Sequence, residues 1–251
     1  MAYLDNSATT RPCPEAVDAM VHCMTEGFYN PSSVYRPAVD AFRELRDCRE
    51  ILLKAAHGSE CDLIFTSGGT EANNLAILGA VHRMRGKQVL AVSAVEHPSV
   101  REAFEALAAE GHEVRVIGVD ERGELRWDAL ERALDDGASL VSCMQVNNET
   151  GALLDAQRLR RTVGGRALIH VDGVQGFLRV PFDMKNADLY TLSGHKIHGP
   201  KGIGALIVRK GVRLMPRQIG GGQENGMRSG TENTPGIAGL KAAAQAMIAM
   251  G

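Results

Sequence analysis

Short runs of apolar, β-branched residues recur along the chain, and stretches with helical periodicity separate most of them. The near-continuous apolarity of each run is typical of strands that are buried on both faces of a sheet. The runs lie at residues 62–67, 88–93, 113–119, 140–146, 167–171, 188–193 and 204–209. Strands that alternate with helices predict an α/β fold, with a mostly parallel seven-stranded sheet and helices on both faces.

Two parts of the chain depart from this alternation. A glycine-rich loop joins the runs at 188–193 and 204–209, and it is too short to hold a crossover helix. A parallel connection needs about a dozen or more residues, so we expect the last strand to be antiparallel. The first 60 residues predict one or two helices, with Pro14 at a first helical position.

Composition narrows the class of protein. Hydrophobic residues make up 44% of the 251 residues and charged residues 23%, which is ordinary for a globular domain. The formal net charge of −2 argues against a nucleic-acid or membrane surface. We find no run near the roughly 20 apolar residues of a membrane helix and no secretion signal. The cysteines are irregularly spaced, without a CxxC pair, and predict a reduced, cytoplasmic protein with no disulfide framework or metal site: Cys13, Cys23, Cys48, Cys61 and Cys143.

Polar residues follow five of the predicted strands where each strand ends. "GGTEANN" follows the run at 62–67, "AVEHPS" follows 88–93, and "NNETG" follows 140–146. "DGVQG" follows 167–171, and "GHK" follows 188–193. In an open parallel sheet, ligands bind outside the carboxyl ends of the strands, so we expect these groups to form one site.

The stretch "SGGTEANNLAI" predicts a tight glycine turn and the start of a helix, with Thr70 as its N-cap. The backbone N–H groups of Gly69, Thr70 and Glu71 would then meet a phosphate at the positive end of the helix dipole. A helix cap without a ligand explains the motif equally well. The motif matches neither GxGxxG nor GxxxxGK[ST], although Glu96 as a ribose-binding acid keeps a nucleotide-binding module open as an alternative.

Asp172 and Lys196 end consecutive predicted strands. Asp172 is open to four interpretations: a metal ligand, a general base, a partner for a protonated ring nitrogen, or an N-cap for a following helix. Gln175 lies three residues further on and would reach the same ligand. Lys196 can form a Schiff base if its amine is neutral, whereas most lysines are simply solvated.

Histidines complete the set of candidate residues. His195 and His198 flank Lys196, but a pair in a glycine-rich loop without a neighbouring carboxylate is a weak signature of a metal site. His97 follows another strand and is a candidate for stacking on a ring. A phosphate cradle, an acid for a ring nitrogen, a Schiff-base lysine and a stacking ring are together the parts of a pyridoxal 5'-phosphate (PLP) site.

Eight stretches between residue 3 and about residue 240 resemble the cysteine desulfurases, in the class V aminotransferase branch of PLP enzymes. They are "YLDNSATT", "NPSS", "GGTEANNLAI", "EHPSV", "VNNETG", "HVDGVQ", "SGHKIHGPKGIGAL" and "GGGQENGMRSGTENTPGIAG". The resemblance implies the large domain of a fold type I PLP-dependent transferase that acts as a homodimer in iron–sulfur cluster assembly. It also implies that L-cysteine becomes L-alanine, with sulfur passed to an enzyme persulfide and on to a sulfur-acceptor or scaffold protein.

The resemblance further implies roles for individual residues. Lys196 would carry PLP covalently, and His97 would stack on the ring. Asp172 would pair with the ring nitrogen and Gln175 with the phenolic oxygen. The remaining cofactor-binding residues, with the last reaching the partner subunit's phosphate, would be Gly69, Thr70, Asn147, Ser193, His195 and Thr231. The substrate would be approached by Asn6, Ser7, Ala8 and Asn147.

The resemblance divides the chain at residue 14. Residues 1–14 would pack against a small C-terminal domain, residues 15–251 would form the PLP-binding domain, and we expect the small domain with its sulfur-accepting cysteine loop to be absent. Tyr35 stands where the family has histidine, and Asn225 stands where it has arginine. Cys143 lies in a buried strand pattern that predicts an inert thiol. Alternatives are another class V enzyme, such as a selenocysteine lyase, or a non-catalytic PLP-binding fragment.

Overall fold

The computed structural model describes residues 2–250, so Met1 and Gly251, the ends of the two predicted domain ranges, lie outside the described residues. Seven strands form a single sheet. They are β1 (Cys61–Thr66), β2 (Val89–Ser93), β3 (Glu113–Ile117), β4 (Ala138–Met144), β5 (Leu168–Asp172), β6 (Leu189–Ser193) and β7 (Gly204–Arg209). Each strand coincides with one predicted apolar run to within two residues at either end, which confirms the α/β fold.

Seven α-helices lie among the described residues. They are α1 (Pro14–Thr25), α2 (Arg36–Ala55), α3 (Gly69–Val81), α4 (Pro98–Ala109), α5 (Trp127–Asp135), α6 (Ala156–Val163) and α7 (Thr234–Met250). Short 3-10 turns occur at Met184–Asn186, Gly194–Lys196 and Glu224–Gly226. Pro14 opens α1 as predicted, because the first turn of a helix does not need the N–H group that proline lacks.

The strand order across the sheet is β1-β7-β6-β5-β4-β2-β3. The pairs β2–β3, β2–β4, β4–β5 and β5–β6 are parallel. Strand β7 is antiparallel to both β6 and β1, which confirms the prediction from the short glycine-rich loop. As a result, β1 runs in the same direction as β6, and its carboxyl end lies at the same edge of the sheet.

Helices cover both faces of the sheet, because successive side chains of each strand point to opposite faces. In β4, Leu140 packs into a core with Ile77 of α3 and Phe104 of α4. The next residue, Val141, belongs to the core on the other face, which includes Leu130 of α5. Buried apolar side chains on both faces explain why the strand runs lack polar alternation.

The segment before α1 packs along the loop that follows β6. The backbone N–H of Thr10 donates to the His195 carbonyl at 2.8 Å, and that of Cys13 donates to the His198 carbonyl at 2.9 Å. These bonds bring residues 7 and 8 close to Lys196. The packing predicted for residues 1–14 against a further domain stays a prediction.

Candidate active site

A cavity of about 370 Å³ opens at the carboxyl ends of the parallel strands, next to the first turns of α3 and α4. Its size lies within the range of small-molecule sites, roughly 300–1,000 Å³. The predicted site residues that line it are Ser7, Ala8, Gly69, Thr70, His97, Asp172, Gln175, Ser193, His195 and Lys196. The prediction that several strand ends deliver their polar groups to one site is thereby confirmed.

Helix α3 directs its amino-terminal end at this cavity. It begins at Gly69, and Gly68 is its N-cap with a φ of 152°, so the prediction of Thr70 as N-cap is wrong. Glycine takes that position because a residue with a side chain rarely adopts such a φ. A Cβ atom at Gly69 would lie 2.7 Å from Cγ2 of Val174, so the close approach of α3 to the loop after β5 requires glycine there as well.

Asp172 ends β5 and is 4% exposed. Its Oδ1 accepts a hydrogen bond from the Val174 N–H at 2.9 Å, and its Oδ2 accepts one from Nδ2 of Asn73 at 2.8 Å. Burial raises the pKa of Asp172, whereas these hydrogen bonds and the nearby His97 and Lys196 lower it. Turns follow Asp172 directly, so the alternative of an N-cap for an α-helix is wrong.

Lys196 follows β6 and is 8% exposed. Its Nζ donates to the backbone carbonyl of Ala8 at 2.8 Å and to that of Ser7. Burial lowers the pKa of Lys196, and the charge of Arg179 lowers it further. The amine is therefore easier to deprotonate than that of a solvated lysine, as its predicted chemistry requires.

Two side chains that sequence reasoning missed hold these groups in place. Asn73 of α3 bonds Asp172 and also donates to Oγ of Ser99 at 2.9 Å. Arg179 donates to the carbonyl oxygen of Lys196, and its second guanidinium nitrogen lies 3.3 Å from Oε1 of Gln175. Asn73 is the first asparagine of "EANN", and its place near the start of α3, at the same edge of the sheet, was a signal for its contact with Asp172. No comparable signal marks Arg179.

The histidine rings are fixed by local bonds. Nδ1 of His97 accepts a hydrogen bond from the Ser99 N–H at 3.1 Å, which makes His97 the N-cap of α4. Nδ1 of His195 lies 3.1 Å from Oγ1 of Thr9. Burial, followed by the charge of Lys196, lowers the pKa of His195, so its ring is neutral at pH 7 and suited to hydrogen bonding.

The structure does not bring Asn6, Asn147 or Thr231 to this cavity. Asn147 faces away, because its Oδ1 accepts hydrogen bonds from the Glu149 and Thr150 N–H groups at 3.0 and 2.9 Å. The cavity is instead lined by Asn148, the next residue in the chain. Contact of Asn147 with cofactor or substrate stays a prediction. Thr231 is exposed, in a loop outside the cavity.

The five cysteines are free thiols, and none of them lines this cavity. Cys143 is buried in β4, and burial raises its pKa well above the usual value, which confirms the prediction of an inert core thiol. Within residues 2–250, three or more His, Cys, Asp or Glu side chains nowhere cluster as a metal site requires. The same residues contain no helix with the length and apolarity needed to cross a bilayer.

Known proteins match the chain over almost its whole length. The family model "Aminotransferase class-V" matches residues 2–251. A cysteine desulfurase of Trichormus azollae is 42% identical over 246 residues, which is 97% of this chain and 62% of the relative. The cysteine desulfurase NifS of Azotobacter vinelandii is 41% identical over 249 residues, 97% of this chain and 61% of the relative.

Solved structures also match almost the whole length of the chain. A NifS-like protein superposes with a TM-score of 0.93 at 34% identity, over 99% of this chain and 70% of that one. The structure named "SspA in complex with cysteine" superposes with a TM-score of 0.92 at 33% identity, over 98% of this chain and 72% of that one. The chain spans about 62% of the length of the curated relatives it matches. It belongs to the class V aminotransferase family of PLP enzymes.

Proposed function

We propose that the chain forms the cofactor-binding part of a PLP-dependent cysteine desulfurase, which converts L-cysteine to L-alanine and passes sulfur to an enzyme persulfide. One observation carries the proposal: Asp172 ends β5, Lys196 follows the neighbouring parallel strand β6, and both line a single cavity beside the first turn of α3. Cysteine is the proposed substrate because the curated relatives are named cysteine desulfurases and a structural neighbour is named as a complex with cysteine.

The donors in the cavity fit the groups of PLP. The first turn of α3 offers backbone N–H groups to the phosphate, and Ser193 and His195 lie at the same opening. Positions 68 and 69 present no side chain at that opening, and a Cβ at Gly69 would lie 2.7 Å from Cγ2 of Val174, which also lines the cavity. Asp172 provides a carboxylate for the ring nitrogen, and Gln175 provides an amide for the phenolic oxygen. When bound, PLP supplies an aldehyde that bonds an amine and a ring that accepts electrons.

The protein groups have separate tasks in this chemistry. The Lys196 amine, with its lowered pKa, is the nucleophile for the aldehyde. As a free amine, the same Nζ would be placed to take a proton from the α-carbon of the substrate. The Asp172 carboxylate would hold a proton on the ring nitrogen of PLP, and the Ser99 bonds hold the His97 ring in one orientation.

Lys196 is expected to be the residue that PLP modifies. Borohydride reduction of the chain with PLP, followed by peptide mapping, should place the label on Lys196, because this buried amine faces Asp172. Lys196→Ala should abolish the specific label. Lys201→Ala is the matched control, since Lys201 is an exposed lysine of the same loop and does not line this cavity. A label that persists on Lys201 in Lys196→Ala at stoichiometric PLP would contradict the assignment.

A homodimer belongs to the same proposal, with Thr231 of each chain completing the phosphate site of the other. Thr231→Val should weaken PLP binding roughly tenfold to a hundredfold, because a hydrogen bond to a charged group contributes roughly 1.5–3 kcal/mol. Thr231→Ser keeps the hydroxyl group and should bind normally. Sedimentation of the PLP-bound chain checks the dimer directly, and a monomer that binds PLP at full strength would refute this arrangement.

Two wider parts of the proposal concern the cell. We infer a cytoplasmic location, which the free state of all five cysteines supports, because disulfides are rare in that compartment. The sulfur would pass to an acceptor or scaffold protein. Non-catalytic binding of PLP is the second candidate function for the chain itself, and it is favoured because none of the residues that line the Lys196 cavity is a cysteine.

A further inference from the structure

A second buried carboxyl group, Glu96, lies beside Asp172. Glu96 sits between β2 and α4 and is 8% exposed. Its Oε1 accepts a hydrogen bond from the backbone N–H of Met144 at 2.6 Å. Met144 is the register partner of Asp172 in the β4–β5 ladder, and neighbouring strands lie about 4.8 Å apart. Met144 of β4 thus contacts the Glu96 carboxyl group and is also the neighbour, across the sheet, of Asp172, whose carboxylate is proposed for the ring nitrogen.

The two carboxyl groups have different hydrogen-bond partners. Asp172 has a donor on each oxygen, from Val174 and Asn73. Glu96 has one backbone donor, on Oε1, and its buried Oε2 has no hydrogen-bond partner among the described residues. A buried charge without partners costs far more than a buried neutral polar group. If only one of the two carboxyl groups can ionise, it is Asp172.

The charged and titratable groups around the pair favour the same assignment. His97 and Lys196 face Asp172 and lower its pKa. Glu96 is adjoined by the Asp172 carboxylate on β5 and the neutral Cys143 thiol on β4. Burial, followed by the charge of Asp172, raises the pKa of Glu96 to about 8, although the Met144 N–H and the Ser93 hydroxyl group oppose this shift.

We propose that Glu96 is a positioning residue of the site: it is a protonated carboxyl group whose neutral state leaves Asp172 as the single negative charge that faces the cofactor ring. The link to the ring rests on the proposed function, whereas the protonation of Glu96 is a property of the chain without PLP. One negative charge on the carboxyl pair matches one proton on the ring nitrogen.

The protonation of Glu96 makes folding depend on pH. The pKa of Glu96 is about 8 in the folded chain, above its unfolded value of roughly 4.3. Between these values the folded chain keeps a proton that the unfolded chain has lost, so the stability from this group is present below the unfolded pKa and is lost as pH rises through about 8. Glutamine is a neutral isostere of the protonated carboxyl group. The free energy of unfolding of Glu96→Gln should therefore decline less steeply than that of the wild type between about pH 5 and pH 8, and the difference in slope should correspond to at most about one bound proton.

Infrared spectroscopy of the PLP-free chain tests the protonation state directly. At neutral pH, the wild type should show the carbonyl band of a protonated carboxyl group, which Glu96→Gln should lack and the exposed control Glu102→Gln should retain. The band should disappear as pH rises through about 8. In Asp172→Asn the band should disappear at a lower pH than in the wild type, because removal of the neighbouring negative charge lowers the pKa of Glu96. Absence of the band at neutral pH would overturn the proposal.

A second measurement tests the link to the cofactor. In the PLP-bound chain, the pH at which the ring absorbance changes should differ between wild type and Glu96→Gln, because Glu96 ionises only in the wild type. A merely structural role would leave the two pH profiles the same, and that result would overturn the positioning role. If borohydride labelling of Lys196 fails, the proposed function fails, but the infrared and unfolding results for Glu96 stand independently.

Discussion

Arg49→Ala is expected to lower the free energy of unfolding by about 3 kcal/mol, the lower end of the roughly 3–5 kcal/mol for breaking a buried ion pair. Two nitrogens of Arg49 on α2 meet the two carboxylate oxygens of Glu224 at 2.6 and 2.9 Å. Only 3% of the Glu224 side chain is exposed, so removal of the guanidinium leaves a buried carboxylate without its cation. The lower end applies because 26% of the Arg49 side chain is in contact with solvent.

The Arg49–Glu224 pair also joins α2, β1 and the loop that carries Thr231. The Arg49 guanidinium lies 4.6 Å from the centre of the Phe65 ring and donates to the Leu63 carbonyl. Oε2 of Glu224 accepts a hydrogen bond from the Phe65 N–H at 2.8 Å. Glu224 itself has a φ of 50°, which is an unfavourable conformation for a residue with a side chain. We therefore expect Arg49→Ala to loosen this loop as well as to destabilise the fold.

Urea unfolding at pH 7 measures the effect of Arg49→Ala. Arg46→Ala is the matched control, because Arg46 lies on the same helix and forms an exposed ion pair with Glu50. The Arg46 side chain is 60% exposed and the Glu50 side chain 70%. An exposed pair contributes about 0–1 kcal/mol, so this variant should unfold almost like the wild type. In the Glu224→Gln background, the effect of Arg49→Ala should be smaller, because no charge is left unpaired. Equal stability of Arg49→Ala and Arg46→Ala would contradict the prediction.

The sheet and the main site residues were predictable because both follow from local patterns. Strands buried on both faces give apolar runs, and polar residues that directly follow parallel strands converge at one edge. These two rules suffice to bring Asp172 and Lys196 together. The place of β1 was not predictable in this way, because its pairing with β7 joins segments more than 130 residues apart and leaves no local signature.

Misplaced residues lie where the chain leaves regular structure. Beyond the end of β4, the alternation of side chains along a strand no longer predicts which of Asn147 and Asn148 faces the sheet edge. The hydrogen bonds that Oδ1 of Asn147 accepts from the following turn determine it. Thr70 fits the composition of an N-cap, yet the turn at Gly68 needs a φ that glycine alone adopts readily. The buried state of Glu96 depends on a bond to Met144 across the sheet, which sequence spacing does not reveal.

The 251-residue chain, supplied with PLP and L-cysteine, is expected not to produce alanine at an enzymatic rate. Sulfur transfer needs a thiolate held next to the sulfur of the substrate, and none of the five cysteines lines the cavity of Lys196. Burial raises the pKa of Cys48 to about 12, and it also raises the pKa of Cys13, Cys61 and Cys143, which disfavours the thiolate. Loss of a positioned nucleophile forfeits roughly 7–11 kcal/mol of barrier reduction, or about five to eight powers of ten in rate.

The assay is alanine formation from cysteine, with PLP present and without added thiol. Borohydride labelling of Lys196 in the same preparation shows that the cofactor is bound, so that the absence of turnover is assigned to the missing nucleophile. Lys196 should still exchange with the amine of cysteine, because that step needs no thiolate, and a slow change of the PLP absorbance on cysteine addition would report it. Single serine variants of the five cysteines complete the design: robust turnover that one of them abolishes would contradict the prediction and identify that cysteine as the nucleophile.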